Sequence, residues 1–385
     1  MRIYLDHNAT TPIEPAVAEA MDDALRNCFG NPSSVHAYGQ TAKAALDEGR
    51  SAVSNLINGQ PSEVLFTGSG TEADNLALRG IAAAVQPGKK NHLVASTIEH
   101  EAVLNTLKAL SDSGWTTSLL PVDATGIVDP TSLKQVITDK TALVSVMHAN
   151  NEIGTIQPIS ELAAIAHQHG ATFHTDAVQT AGKYPINVST LGVDLLSISG
   201  HKFNGPKGVG ALWVRRGTRL VSTITGGGQE KNRRAGTENV PAIVGLGVAA
   251  RLARKRLEHQ CNTIGTLRDK LESGILSDVP NTFVNGPGGN RVPNTTNISF
   301  TGVEAESLLI ALDLAGIAVS TGSACSSGTL QASHVLKAMG LSTHRAQNSI
   351  RFSLGLNNTD SDVTRTIREL PTLVRKLRAL SGTGS

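Results

Sequence analysis

The stretch Ser197-Ile-Ser-Gly-His-Lys202-Phe-Asn-Gly-Pro-Lys-Gly208 decides how the chain is read. An apolar run ending at Ile198 passes into small residues, a histidine, a lysine and a glycine-rich turn. Lys202 therefore closes a buried strand instead of standing on a solvated helix. Desolvation lowers the pKa of a lysine and makes its amine a nucleophile able to form a Schiff base. A surface lysine at a strand-to-turn junction fits the same residues, so the neighbours have to decide.

Outward from this run, apolar β-branched segments alternate with helical patterns. Strands are expected at Glu63–Thr67, His92–Ser96, Ala142–Met147, Thr172–Thr175 and Leu195–Ser199, with Gly210–Val214 pairing back antiparallel. Helices are expected near Ala73–Leu78, Glu101–Leu110 and Ile159–His169. Such alternation predicts an α/β fold, a mostly parallel sheet with helices on both faces and a ligand site at the strand ends. Past Val240 the pattern changes to a long helix, Pro241–Leu276, then shorter elements ending in a helix over Asp360–Leu380. We expect an N-terminal segment over 1–14, a large domain over 15–254 and a small α+β domain over 255–385. The helix over 15–28 is expected against the small domain.

The 385 residues suit two domains. Charged residues make up 17%, the net charge is +2 and aromatics are only 3%, which argues against a nucleic-acid partner. No apolar stretch is long enough to span a bilayer. Three cysteines, Cys28, Cys261 and Cys325, are too few for a disulfide framework and suggest a reducing, cytoplasmic setting.

Several expected strand ends carry polar groups. Thr67-Gly-Ser-Gly70-Thr71-Glu-Ala-Asp-Asn75 joins a strand to a helix and suits a phosphate, though such turns are also ordinary helix caps. His100 follows the strand His92–Ser96 and suits either a cap or a ring stacked on an aromatic cofactor. Asp176 ends an apolar strand and wants a positive partner; the pyridinium nitrogen of pyridoxal 5'-phosphate is one. A metal at His174 and Asp176 lacks a third ligand at useful spacing. Asn150 and Asn151 suit a cofactor hydroxyl or a turn. Arg351 interrupts an apolar strand and suits either a substrate carboxylate or an internal ion pair. Cys325, in Ser320-Thr-Gly-Ser-Ala-Cys-Ser-Ser-Gly328, has only small or polar neighbours, which predicts an exposed thiol on a mobile loop.

With these residues together, the chain resembles the cysteine desulfurases of the NifS/IscS type, within the class-V aminotransferase group. The resemblance rests on Tyr4-Leu-Asp-His-Asn-Ala-Thr-Thr-Pro12, His148-Ala-Asn-Asn-Glu-Ile-Gly154, His174-Thr-Asp-Ala-Val-Gln179 and Ser199-Gly-His-Lys202. Arg234-Ala-Gly-Thr237, Thr321-Gly-Ser-Ala-Cys-Ser-Ser327 and Ser349-Ile-Arg-Phe-Ser353 extend it almost to the last helix. It implies the aspartate-aminotransferase-like fold (fold type I), with a seven-stranded sheet and pyridoxal phosphate. Lys202 then carries the cofactor and moves the substrate Cα proton, Asp176 pairs with the ring nitrogen, and His100 stacks on the ring. Gln179 and Asn151 meet the ring oxygen or its surroundings. Gly70, Thr71, Ser199 and His201 hold the phosphate, and Thr237 reaches it from the neighbouring subunit of a homodimer. Arg351, with Asn151, binds the L-cysteine substrate, and Cys325 takes its sulfur as a persulfide for an acceptor such as an iron–sulfur scaffold protein. The related housekeeping enzymes carry a longer tail that docks that scaffold; docking through such a tail is not expected of a chain stopping at Ser385, which leaves a NifS-like or specialised partner open. A selenocysteine lyase of the same fold, and a non-enzymatic sulfur carrier, are the alternatives. The first can dispense with Cys325; the second has no use for Lys202, Asp176 and His100.

Overall fold

The computed structural model describes residues 2–86, 88–322 and 332–380. Its larger sheet has seven strands, in the spatial order Val64–Thr67, Gly210–Val214, Leu195–Ser199, Thr172–Asp176, Thr141–Ser145, His92–Ser96 and Thr116–Leu120. Gly210–Val214 runs antiparallel to both neighbours, and every other pairing is parallel.

The strands are apolar on both faces because both are covered. Successive residues point to opposite sides. Leu65, Leu93, Leu143, Leu195 and Leu212 meet the helices Gly70–Ala84 and Glu101–Asp112 in one core. Phe66, Val94, Val144, Leu196 and Trp213 join a second core with Leu46, Val53, Leu162 and Leu246. This two-sided burial is the reason the runs read as continuous apolar strands.

Some elements were not among the sequence expectations, including the strand Thr282–Asn285 and the helix Pro130–Val136. The edge strand Thr116–Leu120 was not expected; its Thr-Thr-Ser start is exposed or half-buried, so it lacks the apolar signature of its neighbours. The helix Ala37–Leu56 was also not expected, its buried face being largely Ala, Gly and Ser.

A separate core forms around the antiparallel sheet Thr282–Asn285, Thr295–Phe300 and Ser349–Ser353. The helix Val240–Asp278 belongs to both halves of the molecule. Ala242, Ile243, Leu246 and Ala249 enter the core of the large sheet. Ile264, Leu267, Leu271 and Ile275 enter that of the small one. The helix Pro15–Asn27, expected against the small domain, packs on the first half of this long helix. A Cβ on Gly245 would stand 2.7 Å from Met21, so the missing side chain permits the approach. The segment before it starts in the small half, where Ile3–Tyr4 pairs with Ile317–Ala318. It then crosses to the large sheet, where the Thr11 N–H donates to the His201 carbonyl at 2.9 Å. Among the described residues, no helix is long and apolar enough to cross a membrane.

Candidate active site

Where the crossing segment passes the ends of the large sheet, a cleft of about 390 Å³ opens. That lies within the range of small-molecule sites, roughly 300–1,000 Å³. Ten of the twelve residues expected at the site line it: Gly70, Thr71, His100, Asn151, Asp176, Gln179, Ser199, His201, Lys202 and Arg351. They come from six separated stretches of chain: five lie at or beyond strand ends of the large sheet, which converge on one edge, and Arg351 comes from the small antiparallel sheet facing them. Thr237 is not among the lining residues and is exposed. Cys325 lies outside the described residues; Ser320 and Gly322, shortly before it in sequence, line the cleft.

Lys202 closes a single 3-10 turn, Gly200–Lys202, that follows directly on the strand Leu195–Ser199. Its Nζ donates to the Asn8 carbonyl at 2.6 Å and the Ala9 carbonyl at 2.9 Å. Burial, and then the positive charge of Arg351, push its pKa down to about 8, against the opposing pull of Asp176 and Asp6. The low affinity for protons that a nucleophilic lysine needs thus comes from burial and Arg351, while the two carbonyls fix where the amine sits.

Asp176 ends its strand, with Oδ1 accepting the Val178 N–H at 2.8 Å. Burial raises its pKa, opposed by that N–H, His100 and Lys202. Asp74, on the helix Gly70–Ala84, is buried beside it and raised further, by burial and then by the Asp176 charge. Its Oδ1 has no hydrogen-bond partner. Ser197 and His174 stand beside Asp74, yet burial still dominates at both carboxyls, and a cation in the cleft would favour their ionised forms.

His100 does both things its sequence allows. Its Nδ1 accepts the Ala102 N–H at 3.1 Å and so caps the helix Glu101–Asp112, while the ring lines the cleft. That bond puts the proton of the neutral ring on Nε2. His201 is lowered to about 4 by burial and by Lys202, which keeps it neutral, and its Nδ1 lies 3.1 Å from Thr10 Oγ1.

The helix Gly70–Ala84 starts at the cleft. Ser69 caps it, its Oγ accepting the Glu72 N–H at 3.0 Å. A Cβ on Gly70 would come within 2.9 Å of Val178 and 3.2 Å of Ser199, so the bare backbone is what lets this helix end sit against the cleft wall. Glu72 is tied to Arg234 by a 2.8 Å ion pair, which joins the Arg234–Thr237 segment to the turn. A helix N-terminus with Ser199 and a neutral His201 beside it fits a phosphate. Together with an accessible amine and buried carboxyls whose ionised forms a cation would favour, the residues fit a phosphate-bearing pyridine aldehyde. Among the described residues, no group of His, Cys, Asp and Glu side chains forms a metal site.

Arg351 is buried and ion-paired: Nη2 donates to Asp6 Oδ1 at 2.7 Å and Nη1 to the Asn151 carbonyl at 3.0 Å. Among the described residues, its Nε has no hydrogen-bond partner. The internal ion pair is therefore present, and the guanidinium still lines the cleft.

Three groups at the site were missed by sequence reasoning. Asn8 supplies the carbonyl under Lys202, Asp6 holds Arg351, and the buried Lys183 bonds Gln179. The block Tyr4–Pro12 was singled out for resemblance, which was the available signal for the first two. Lys183 had only its place four residues after Gln179.

A family model described as aminotransferase class-V matches residues 3–366. A relative named cysteine desulfurase IscS, from Dictyoglomus turgidum, is 48% identical over 98% of this chain and 96% of its own length. The cysteine desulfurase NifS of Azotobacter vinelandii is 46% identical over 98% and 94%. A solved structure titled NifS-like protein superposes with a TM-score of 0.92 at 37% identity, covering 98% of this chain and 100% of that one.

Proposed function

The chain belongs to the aminotransferase class-V family and is a cysteine desulfurase, and from that premise we propose how its residues do the work. It takes sulfur from L-cysteine, releases L-alanine and holds the sulfur as a persulfide on Cys325. The observation that carries the reading is the Lys202 amine, lowered to about 8, sharing one cleft with Asp176, His100 and the Gly70 helix end.

Pyridoxal phosphate bound there supplies an electron sink that makes the substrate Cα proton removable. The N–H groups of Gly70 and Thr71, with Ser199 and His201, would hold its phosphate. Asp176 would pair with the ring nitrogen, whose positive charge draws that carboxyl back to its ionised form. His100 would cover the ring, and Gln179 with Asn151 would border its oxygen. Lys202 binds the cofactor and then serves as the base at the substrate Cα. Arg351, aimed by Asp6, binds the substrate carboxylate. The Cys325 thiolate attacks the substrate sulfur; the S–S bond forms as the Cβ–S bond breaks. Gly322 lines the cleft, and three residues of chain reach about 10 Å, which is compatible with a thiol that comes to the substrate.

The persulfide passes to an acceptor protein, an iron–sulfur scaffold being the first to test. Thr237, exposed in the single chain, is assigned to the phosphate of a second copy, which makes the active species a homodimer; a fully active monomer would contradict this. The central experiment compares wild type with Cys325→Ala. The variant should keep a visible absorbance band that borohydride abolishes, yet lose sulfide release from cysteine. Unchanged turnover would remove Cys325 from the mechanism, and a wild type without the band would remove the cofactor.

A further inference from the structure

Lys183 is only 3% exposed, and the reaction above makes no use of it. The charges it feels most are those of Lys202 and Arg351, both repulsive. A buried ammonium so placed is expensive, and an apolar side chain would fill the position without that penalty. Its hydrogen bonds suggest why a lysine stands there. Nζ donates to Gln179 Oε1 at 3.0 Å and to Asn8 Oδ1 at 3.2 Å.

Burial, and then the charges of Lys202 and Arg351, push the Lys183 pKa well below the usual lysine value; even the uncharged amine keeps two N–H donors, and these go to the two amide oxygens. With Gln179 Oε1 toward Lys183, the Gln179 Nε2 faces away. One of its N–H bonds goes to the Asn8 carbonyl at 3.1 Å, and the amide lines the cleft. With Asn8 Oδ1 toward Lys183, Asn8 Nδ2 donates to the Asn151 carbonyl at 3.1 Å and to Thr295 Oγ1 at 2.8 Å. That same Asn151 carbonyl accepts Arg351 Nη1 at 3.0 Å, and the Asn8 carbonyl accepts Lys202 Nζ at 2.6 Å. Asn294 Nδ2 also donates to Asn8 Oδ1 at 2.9 Å, so the donor–acceptor sense of the set is held jointly by Lys183, Asn294 and the carbonyls of Asn8 and Asn151.

We propose that Lys183 is a positioning residue of the desulfuration site, turning the N–H side of the Gln179 amide toward the cleft and holding the Asn8 carbonyl under Lys202. The proposal rests on the cofactor reading above. It adds that Lys183, together with the Asn8 carbonyl, holds the orientation in which Gln179 meets the cofactor as a donor.

The test uses Lys183→Met, Gln179→Leu and the double variant, each stripped of cofactor and titrated with pyridoxal phosphate. Three quantities are read: the dissociation constant, the pH midpoint of the visible band and the thermal midpoint. Lys183→Met should weaken binding about tenfold, the size of one lost hydrogen bond, and raise the pH midpoint. Gln179→Leu should do the same, and the double variant should be no worse than either single one. Effects that multiply in the double variant overturn the proposal. So does a lower thermal midpoint with binding and pH midpoint unchanged, which would make Lys183 merely structural. If Lys183→Met does not fold, Lys183→Gln, an uncharged donor, replaces it. Binding within about threefold of wild type then supports the proposal, and a loss as large as that of Gln179→Leu overturns it. A wild type that never develops the band would instead count against the cofactor reading.

Discussion

Glu99 is a fully buried carboxyl one residue before His100, and replacing it with glutamine should stabilise the protein more as the pH rises. Its Oε1 accepts the Ser96 hydroxyl at 2.5 Å and the Met147 N–H at 2.8 Å, while Oε2 has no partner. Burial pushes its pKa from 4.5 up to about 8 against the pull of those two bonds. The folded chain thus holds a proton that the unfolded chain has given up. The contribution of Glu99 to stability is complete below about 4.5 and is lost as the pH climbs toward about 8. Each pH unit in that window is worth about 1.4 kcal/mol, so three units give a ceiling of about 4 kcal/mol. Glu99→Gln keeps the acceptor for Ser96 and Met147 and places an N–H where the acid O–H stands. It should lie within about 1 kcal/mol of wild type near pH 5 and be more stable by about 2–4 kcal/mol near pH 8. The assay is the urea midpoint of both proteins at these two pH values, without cofactor and at one protein concentration, since assembly shifts midpoints. The difference of differences cancels groups that do not feel Glu99, whereas Asp74 and Asp176, which repel its charge, form part of the measured gap and enlarge it in the same direction. A gap that does not change between the two pH values refutes the neutral buried carboxyl.

Two further outcomes follow from the same site. Cofactor-free protein should combine with pyridoxal phosphate faster as the pH rises through about 8, because the lowered pKa of Lys202 puts its free base there and not near the ordinary 10.5. Stopped-flow absorbance reads that rate, and a rise delayed until near 10.5 would mean the amine is not perturbed. Asp6→Asn removes the ion pair that aims Arg351 at 2.7 Å, so KM for cysteine should rise about tenfold with kcat within about threefold. An unchanged KM would mean that the Asn151 carbonyl alone positions the guanidinium.

What the sequence made legible shares one physical property. Asp176, Lys202, His100 and Arg351 each break an apolar strand or stand at its end, where a polar group must be satisfied or used. Such a residue contradicts its own surroundings, and the contradiction is visible in one dimension. The large sheet was legible because six of its strands are almost wholly buried and most of them are apolar on both faces, whereas Thr116–Leu120 sits at an edge and exposes Thr116 and Leu119. Asn8 works largely through its backbone carbonyl, which every residue possesses, so nothing in its side chain announces the role. Lys183 stands in an ordinary Gly-Lys-Tyr sequence, and only the fold reveals that it is 3% exposed between two amides. Arg351 marks the boundary between the two cases. Its sequence position posed a choice between substrate and internal ion pair, yet the structure gives it Asp6 and leaves Nε without a hydrogen-bond partner among the described residues. A guanidinium has five N–H donors in a fixed fork, and an aspartate occupies at most two of them. Holding the arginine rigid and leaving it able to take a carboxylate are therefore the same arrangement, which is why the alternatives posed by the sequence were never exclusive.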